Sequence, residues 1–132
     1  MAGYFTESNY ENAVLQLLNE ELGYNYIYGP DVERDYHSPL YEDVLLPSLQ
    51  RINKSLPMDA LTEAIYKLKN FETGTLLQKN MVFMDYLQNG VPVKYYDKGE
   101  ERSTLVYLVD FKNPASNEFT VANQWTFIEN SE

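Results

Sequence analysis

The chain changes character at Asn89-Gly90, and this change limits its possible folds more than any other feature. Before this point, apolar residues recur at the spacing of helix faces. After it, β-branched and aromatic residues form short runs separated by turn residues. Helices followed by strands are typical of α+β proteins, whereas parallel α/β folds alternate the two. We therefore predict an α+β fold with N-terminal helices packed on an antiparallel-rich sheet.

Four helices are predicted in the first part of the chain. The first begins at a capping box formed by Ser8 and Glu11 and ends at Gly23. The second contains Pro47, which kinks it or lies in its first turn. Pro57 is typical of the start of the third. The apolar faces of the second, third and fourth helices are marked by Val44, Leu45, Leu49 and Ile52, by Leu61, Ala64, Ile65 and Leu68, and by Leu76, Leu77, Phe83, Met84 and Leu87.

Four segments have the composition of strands. A short one is predicted at residues 24–28. Residues 91–96 and 104–111 form a predicted hairpin around a polar turn, and residues 119–128 form the last strand. A boundary directly after this last strand would leave the sheet open on one edge, and self-association through that edge would then be expected.

Composition excludes several classes of function. The absence of cysteine removes disulfides, thiolate nucleophiles and cysteine-ligated zinc, and it favours the cytoplasm. Apolar runs as short as Val44-Leu45-Leu46 cannot span a bilayer, and the first residues lack the pattern of a signal peptide. We expect a soluble, cytoplasmic protein with no membrane partner.

The net charge of −10 disfavours nucleic-acid binding by this chain alone. DNA-binding domains normally carry a basic face that displaces phosphate counterions. No such cluster is visible here, and the nearest approach to one is the pair Lys67 and Lys69.

Four stretches, in order, resemble the N-terminal domain of the restriction (motor) subunit of type I restriction–modification enzymes. The last stretch is the most characteristic, because in that family it leads directly into the catalytic core. The stretches are Thr6-Glu7-Ser8-Asn9-Tyr10-Glu11 with Leu22-Gly23-Tyr24, residues 49–53 with Leu56-Pro57, residues 87–91, and residues 108–114 with 117–119 and Val121-Ala122-Asn123-Gln124-Trp125.

The resemblance implies that residues 1–132 are an incomplete nuclease domain of the PD-(D/E)xK class. In the parent protein this domain is joined to an ATP-driven translocase. The parent is expected to use Mg²⁺ and ATP, to act on DNA and to assemble with methylation and specificity subunits. No residue of this chain matches the Pro-Asp or Glu-x-Lys motif of the class. We therefore expect the catalytic strands to lie outside this sequence and the piece alone to be inactive.

The resemblance makes Glu11 the candidate metal ligand, because a glutamate of the first helix assists metal binding in several nucleases of the PD-(D/E)xK class. Glu7 lies four positions earlier, on the same helix face. The alternative is that Glu11 completes the capping box and that both acids complement the helix dipole.

Other residues have the chemistry for a functional role, but a structural role explains each of them more simply. Asp110-Phe111-Lys112 has the form of an Asp/Glu-x-Lys signature, but the resemblance places it before the true motif, in a structural position. His37 lies in a predicted loop at residues 31–38 without a second histidine or a cysteine to complete a metal site. Trp125 and the twelve tyrosines have the chemistry to stack on bases. We predict packing roles for most of them.

Two other functions remain open at this point. The chain has the charge of an acidic binding module or DNA mimic, although its acids are dispersed rather than dense. Composition alone also fits a small α+β domain with no site.

Overall fold

A computed structural model describes residues 6–71 and 74–128, and all structural statements below concern those residues. They form four α-helices and four short strands, together with single turns of other helix types. The helices are α1 (Glu7–Gln16), α2 (Glu42–Ile52), α3 (Met58–Lys69) and α4 (Leu76–Asn89), and the strands are β1 (Asn25–Tyr28), β2 (Val91–Asp97), β3 (Glu100–Val106) and β4 (Thr120–Asn123).

The chain divides into two compact units. The first unit combines the beginning of the chain, as far as Tyr41, with its end from Glu118 onwards. The second unit is the continuous stretch Glu42–Asn117. None of the described helices is long and apolar enough to cross a membrane.

The core of the second unit lies between α3 and the β2–β3 hairpin. In β2, burial alternates between the buried Val91 and Val93 and the exposed residues that follow each of them, as a sheet with one covered face requires. The predicted apolar face of α3 is confirmed, with Ile65 half-buried. The buried apolar residues of this unit are Leu49, Ala60, Leu61, Ala64, Leu68, Val91, Val93 and Val106.

The hairpin is tighter than the sequence suggested. Asp97 pairs directly with Glu100, so the turn consists of Lys98 and Gly99 alone. Both have positive φ, 53° and 83°, as a two-residue type I′ turn requires, and glycine adopts that conformation without a steric penalty. Pairing therefore starts at once, and β3 begins at Glu100 rather than at the predicted residue 104.

The prediction of a strand continuing to Phe111 is wrong, because Asp110 starts a turn. Its Oδ1 accepts hydrogen bonds from the backbone N–H of Lys112 at 3.0 Å and of Asn113 at 2.9 Å. The amide of Asn117 bonds both backbone groups of Asp110, at 2.8 and 2.9 Å. These side-chain bonds offer the backbone an alternative to a strand ladder, and β3 ends at Val106.

Asn53 connects the end of α2 to the backbone just after β3. Its Nδ2 donates to the carbonyls of Leu49 at 2.9 Å and Tyr107 at 2.8 Å, and its Oδ1 accepts from the Tyr107 N–H at 2.9 Å. The residue is 6% exposed. A single buried amide thus satisfies backbone groups of two elements that are distant in sequence.

Pro47 lies in the interior of α2 and not in its first turn. It has no N–H to donate to the carbonyl of Asp43 one turn earlier, so one helical hydrogen bond is missing. The helix nevertheless continues to Ile52 and buries Leu49.

The first unit is built on parallel pairing of β1 with β4, in which Asn25 is opposite Thr120 and Tyr28 is opposite Asn123. The strand predicted at residues 24–28 is confirmed. The one predicted at 119–128 is present only as β4, because Gln124 turns to a φ of 51° immediately after it. The predicted antiparallel-rich sheet is confirmed only in part: the described strands form two separate two-stranded sheets, of which β2–β3 is antiparallel and β1–β4 is parallel. The α+β class holds.

The start of α1 differs from the predicted capping box. Thr6 is the N-cap, and its hydroxyl accepts from the backbone N–H of Asn9 at 3.2 Å. Ser8 lies within the helix, so Glu11 is not the acid of a capping box. A π-helical turn, Leu17–Glu21, follows α1, and Gly23 ends the segment at a φ of 75°, as its sequence position predicts.

We predict that Asn53→Ala lowers the free energy of unfolding by about 2–4 kcal/mol, because the substitution leaves the part-buried N–H and carbonyl of Tyr107 without the side-chain partners that connect them to the end of α2. Urea denaturation followed by circular dichroism measures this loss. Asn70→Ala is the matched control, since Asn70 donates to the carbonyl one turn earlier, at 2.9 Å, in an exposed setting. If Asn53→Ala lowers the free energy of unfolding no more than Asn70→Ala does, the buried hydrogen bonds of Asn53 add no more stability than an exposed one.

Candidate functional site

Glu11 lies one turn into α1, facing β4. Its Oε1 accepts a hydrogen bond from Nε2 of Gln124 at 3.0 Å, across 113 positions of sequence. The carboxylate is half-buried, and its second oxygen remains as an acceptor. The candidate ligand is therefore oriented by a residue at the end of the last strand, and the helix dipole alone does not account for its position.

Gln124 adopts a conformation that is uncommon for a residue with a side chain. Its φ of 51° lies in the left-handed region, directly after β4. The carbonyls of Asn123 and Gln124 press against Gly29, where a Cβ atom would lie 2.7 Å from the Gln124 oxygen. Only glycine fits position 29, which immediately follows β1. The ends of β1 and β4 therefore approach one another closely at Gly29.

A shallow depression of about 400 Å³ lies between α1 and β4. Two of its lining residues are acids, Glu7 and Glu11, and the rest of the lining is largely apolar. The lining residues are Glu7, Tyr10, Glu11, Val14, Leu15, Val121, Ala122 and Asn123.

The described residues do not form a complete metal site. Residues 6–71 and 74–128 contain no group of three or more His, Cys, Asp or Glu side chains that could hold an ion. Mg²⁺ in proteins is commonly held by one or two carboxylates, with water and substrate oxygens completing the shell. Glu11 can supply one such oxygen, and Glu7 lines the same depression.

Arg34 organises the segment beside the end of β4. Its guanidinium lies 3.8 Å from the ring centroid of Trp125 and 4.8 Å from that of Tyr36, which are cation–π geometries. Its Nη1 donates to the carbonyl of Ser38 at 3.3 Å and its Nη2 to the carbonyl of Thr126. The indole N–H of Trp125 donates to another carbonyl of the same loop, at 3.4 Å. The loop before α2 and the segment after β4 are thereby fastened together.

The remaining sequence candidates lie elsewhere and are occupied by local contacts. His37 lies in an exposed loop, as predicted, with both its backbone N–H and its Nδ1 near Oδ1 of Asp35, at 2.9 and 3.3 Å. Asp110 uses its carboxylate on the backbone of its own turn and does not lie on a strand, so it does not share a strand face with Lys112. Trp125 is half-buried against Arg34 and Tyr41.

Many basic side chains of the described chain are engaged with protein groups. Lys69 pairs with Glu42 at 3.0 Å, and Lys67 donates to the carbonyl of Pro92 at 2.5 Å. On the hairpin, Arg102 lies between Asp97 and Glu100, at 3.8 and 3.3 Å. Lys67 and Lys69, the closest approach to a basic cluster in the sequence, thus hold elements of the second unit.

Two residues of this site, Gln124 and Arg34, were not predicted to have the roles they have. Neither residue belongs to a local sequence motif, because each makes its main contact with a residue that is distant in sequence: Gln124 with Glu11, and Arg34 with Trp125. The one available signal was the position of Gln124-Trp125 within the stretch that carries the family resemblance.

Fold and site together define an α+β protein in which a helix glutamate is oriented from the end of a parallel strand pair, and in which the described residues contain no group of three or more potential metal ligands. The chain belongs to the family described as the type I restriction enzyme R protein N terminus, which matches residues 4–132. The resemblance noted from the sequence is confirmed.

Two curated relatives are described as endonuclease subunits of type I restriction enzymes, one of them as putative. The type I restriction enzyme HindI endonuclease subunit of Haemophilus influenzae is 29% identical over 126 residues, which cover 89% of this chain. The putative type I restriction enzyme MjaIXP endonuclease subunit of Methanocaldococcus jannaschii is 31% identical over 121 residues, or 87% of this chain. The matched region is 12% of the length of each relative. No solved structure matches the chain.

We predict that Arg34→Lys lowers the free energy of unfolding by about 2 kcal/mol, because lysine keeps the charge but loses the planar stacking and the two-pronged hydrogen bonding. Trp125 is the single tryptophan, so its emission should shift to longer wavelength as water reaches the indole. Arg102→Lys, in an exposed ion-pair cluster, should change stability by less than about 0.5 kcal/mol. Equal effects of the two substitutions, with unchanged emission in both, would contradict the role of Arg34.

Proposed function

We propose that this chain is the N-terminal part of the DNA-cleaving, ATP-dependent translocating subunit of a type I restriction enzyme. The family match over residues 4–132 carries the proposal, because it spans both compact units in a single alignment. The relatives are described as endonuclease subunits, and the region they share with this chain is 12% of their length. On this proposal the subunit defends the cell against foreign DNA in the cytoplasm.

The fold we propose for the complete domain is that of PD-(D/E)xK nucleases. The chain contributes α1, the parallel pair β1–β4 and the second unit. Strands bearing the Pro-Asp and Glu-x-Lys motifs would follow in the parent subunit and supply most of the metal ligands. Mg²⁺ there would stabilise developing charge on the scissile phosphate. ATP would be used by a separate motor region, and methylation and specificity subunits would be the protein partners.

Glu11 is the residue of this chain that we assign to the metal. The hydrogen bond from Gln124 fixes one carboxylate oxygen, which lowers the number of conformations available to the other. Because β4 would be next to the metal-bearing strands, a carboxylate held against the end of β4 is well placed to supply one oxygen ligand. Glu7 lines the same depression but is exposed, and among the described residues no hydrogen bond fixes its carboxylate in a comparable way.

The proposed activity is tested on the intact subunit that contains this sequence, purified with its methylation and specificity subunits. We expect cleavage of unmethylated plasmid DNA that requires both Mg²⁺ and ATP, and no cleavage by residues 1–132 alone. Gel analysis of plasmid forms gives the readout. A reading frame that ends at Glu132, or an intact protein that lacks the two motifs, would contradict the proposal.

We predict that Glu11→Gln in the intact subunit reduces DNA cleavage by at least about tenfold while leaving ATP hydrolysis unchanged. The amide keeps the size of the side chain but removes the charge that binds a cation. Glu7→Gln is the matched control on the same helix face and should change cleavage by less than about twofold. Mn²⁺ binding followed by electron paramagnetic resonance provides a readout independent of turnover. If both variants cleave DNA and bind Mn²⁺ as the wild type does, Glu11 is not a ligand.

An acidic binding module or DNA mimic is the alternative function, supported by the net charge of −10. Against it, two of the acids that a mimic would display on the hairpin, Glu101 and Asp97, are paired with Lys94 and Arg102. Recovery of a basic nucleic-acid enzyme with the isolated chain, together with an inactive intact protein, would favour this alternative.

A further inference from the structure

Two residues other than glycine have a left-handed backbone in the part of the chain that the structure describes: Lys98, with a φ of 53°, and Gln124, with a φ of 51°. This conformation is uncommon for a residue with a side chain, because its Cβ atom comes too close to the backbone carbonyl oxygen. Asparagine adopts it more readily than longer side chains do. Each position therefore carries a conformational cost that glycine or asparagine would reduce.

The cost at Lys98 has a local cause. Lys98 and Gly99 form the two-residue turn between β2 and β3, and a type I′ turn requires a positive φ at both positions. The Lys98 side chain is exposed and makes no hydrogen bond or ion pair with another described residue. The turn alone accounts for this backbone, and the lysine side chain has no part in it.

Gln124 does not close a hairpin. It directly follows β4, whose partner β1 runs parallel, so no tight turn joins the two strands. Its side chain is exposed, and burial therefore does not explain it. Among the described residues that side chain makes one hydrogen bond, from Nε2 to Oε1 of Glu11 at 3.0 Å. This bond is what Gln124 provides and a residue better suited to the backbone would not.

We infer that Gln124 is a positioning residue of the proposed metal site, and that a less favourable backbone is kept at position 124 because its side chain holds Glu11. The inference rests on the proposed function, in which Glu11 is a metal ligand. It adds that stability of the first unit is given up at position 124 in exchange for the orientation of that ligand.

Glutamine combines the three properties that the position needs: reach, a donor and no charge. Glycine would relieve the backbone but has no side chain, and asparagine is one methylene shorter than the side chain that now reaches Glu11. Glutamate has the length, but it would replace the donor by a second carboxylate, which Glu11 would repel.

The absence of charge on Gln124 matters for a cation site. Lysine or arginine at position 124 would also donate to Glu11, but its positive charge would neutralise the carboxylate and repel a metal ion. An amide donor restrains one oxygen of Glu11 and leaves the negative charge of the group in place. Carboxylates that bind metals are commonly held by hydrogen bonds from neighbouring groups.

The test measures cation binding and local stability separately in the intact subunit. In Gln124→Asn, we expect the affinity for Mn²⁺, followed by electron paramagnetic resonance without nucleotide, to fall by at least about tenfold. We expect hydrogen exchange of the β1 and β4 amides to be no faster than in the wild type, because asparagine suits the left-handed backbone. If Gln124 served only to support the fold, its replacement would accelerate that exchange.

Lys98→Asn is the matched control, since it introduces asparagine at nearly the same φ. It should leave Mn²⁺ affinity unchanged, with hydrogen exchange in the hairpin no faster than in the wild type, because Asn-Gly is a preferred type I′ turn. Gln124→Met is the second variant, and it keeps the length of the side chain but removes the donor. It should weaken Mn²⁺ binding as Gln124→Asn does.

Unchanged Mn²⁺ affinity in either Gln124 variant, faster exchange of the strand amides in Gln124→Asn, or an equal loss of Mn²⁺ affinity in Lys98→Asn would overturn the inference. Glu11→Gln separates this outcome from a failure of the proposed function. If Glu11→Gln weakens Mn²⁺ binding and the Gln124 variants do not, the role of Gln124 alone is contradicted. If none of these variants weakens it, the assignment of Glu11 to the metal is contradicted as well.

Discussion

The parallel pairing of β1 with β4 is the constraint on which the first unit depends, because it joins residues 25–28 to residues 120–123. Parallel strands cannot be joined by a short turn, and here the whole second unit lies between them in sequence. The close approach at Gly29, the hydrogen bond from Gln124 to Glu11 and the stacking of Arg34 on Trp125 all require that pairing. The candidate site is therefore a product of long-range contacts, whose formation costs loop-closure entropy.

The second unit is continuous in sequence and relies mainly on contacts that are closer along the chain. A two-residue turn brings β2 and β3 together, and α3 packs on the hairpin through small and branched side chains. Asn53 adds the one buried polar bridge from α2 to the residue after β3. Such a bridge contributes specificity as well as stability, because a slip of α2 by one residue would leave its partners unsatisfied in the core.

Sequence reasoning succeeded where structure is determined locally and failed where it is determined at a distance. The periodicity of α3 and α4, the proline before α3 and the glycine after α1 all act within a few residues, and these elements are where they were predicted. Pairing direction is not encoded in any one strand, so the parallel partner of β1 was missed. A composition suited to a strand at residues 107–111 was overruled by Asp110 and Asn117, whose side chains fold that segment into a turn. Glu11 was named as a candidate from the family resemblance and its place on the first helix, but its hydrogen-bond partner 113 positions away has no local signature.

The distribution of charge adds one further step on the proposed function. A subunit that translocates DNA must hold phosphates with basic residues, since that attraction supplies most of its sequence-independent affinity. In the part of the chain that the structure describes, Lys67, Lys69 and Arg34 serve as internal supports, and the net charge of the sequence is −10. The affinity for DNA would then come from basic residues in other regions of the subunit. An acidic N-terminal region would repel DNA except where a bound cation neutralises the carboxylates, so that approach of the phosphate backbone to Glu11 would depend on the metal.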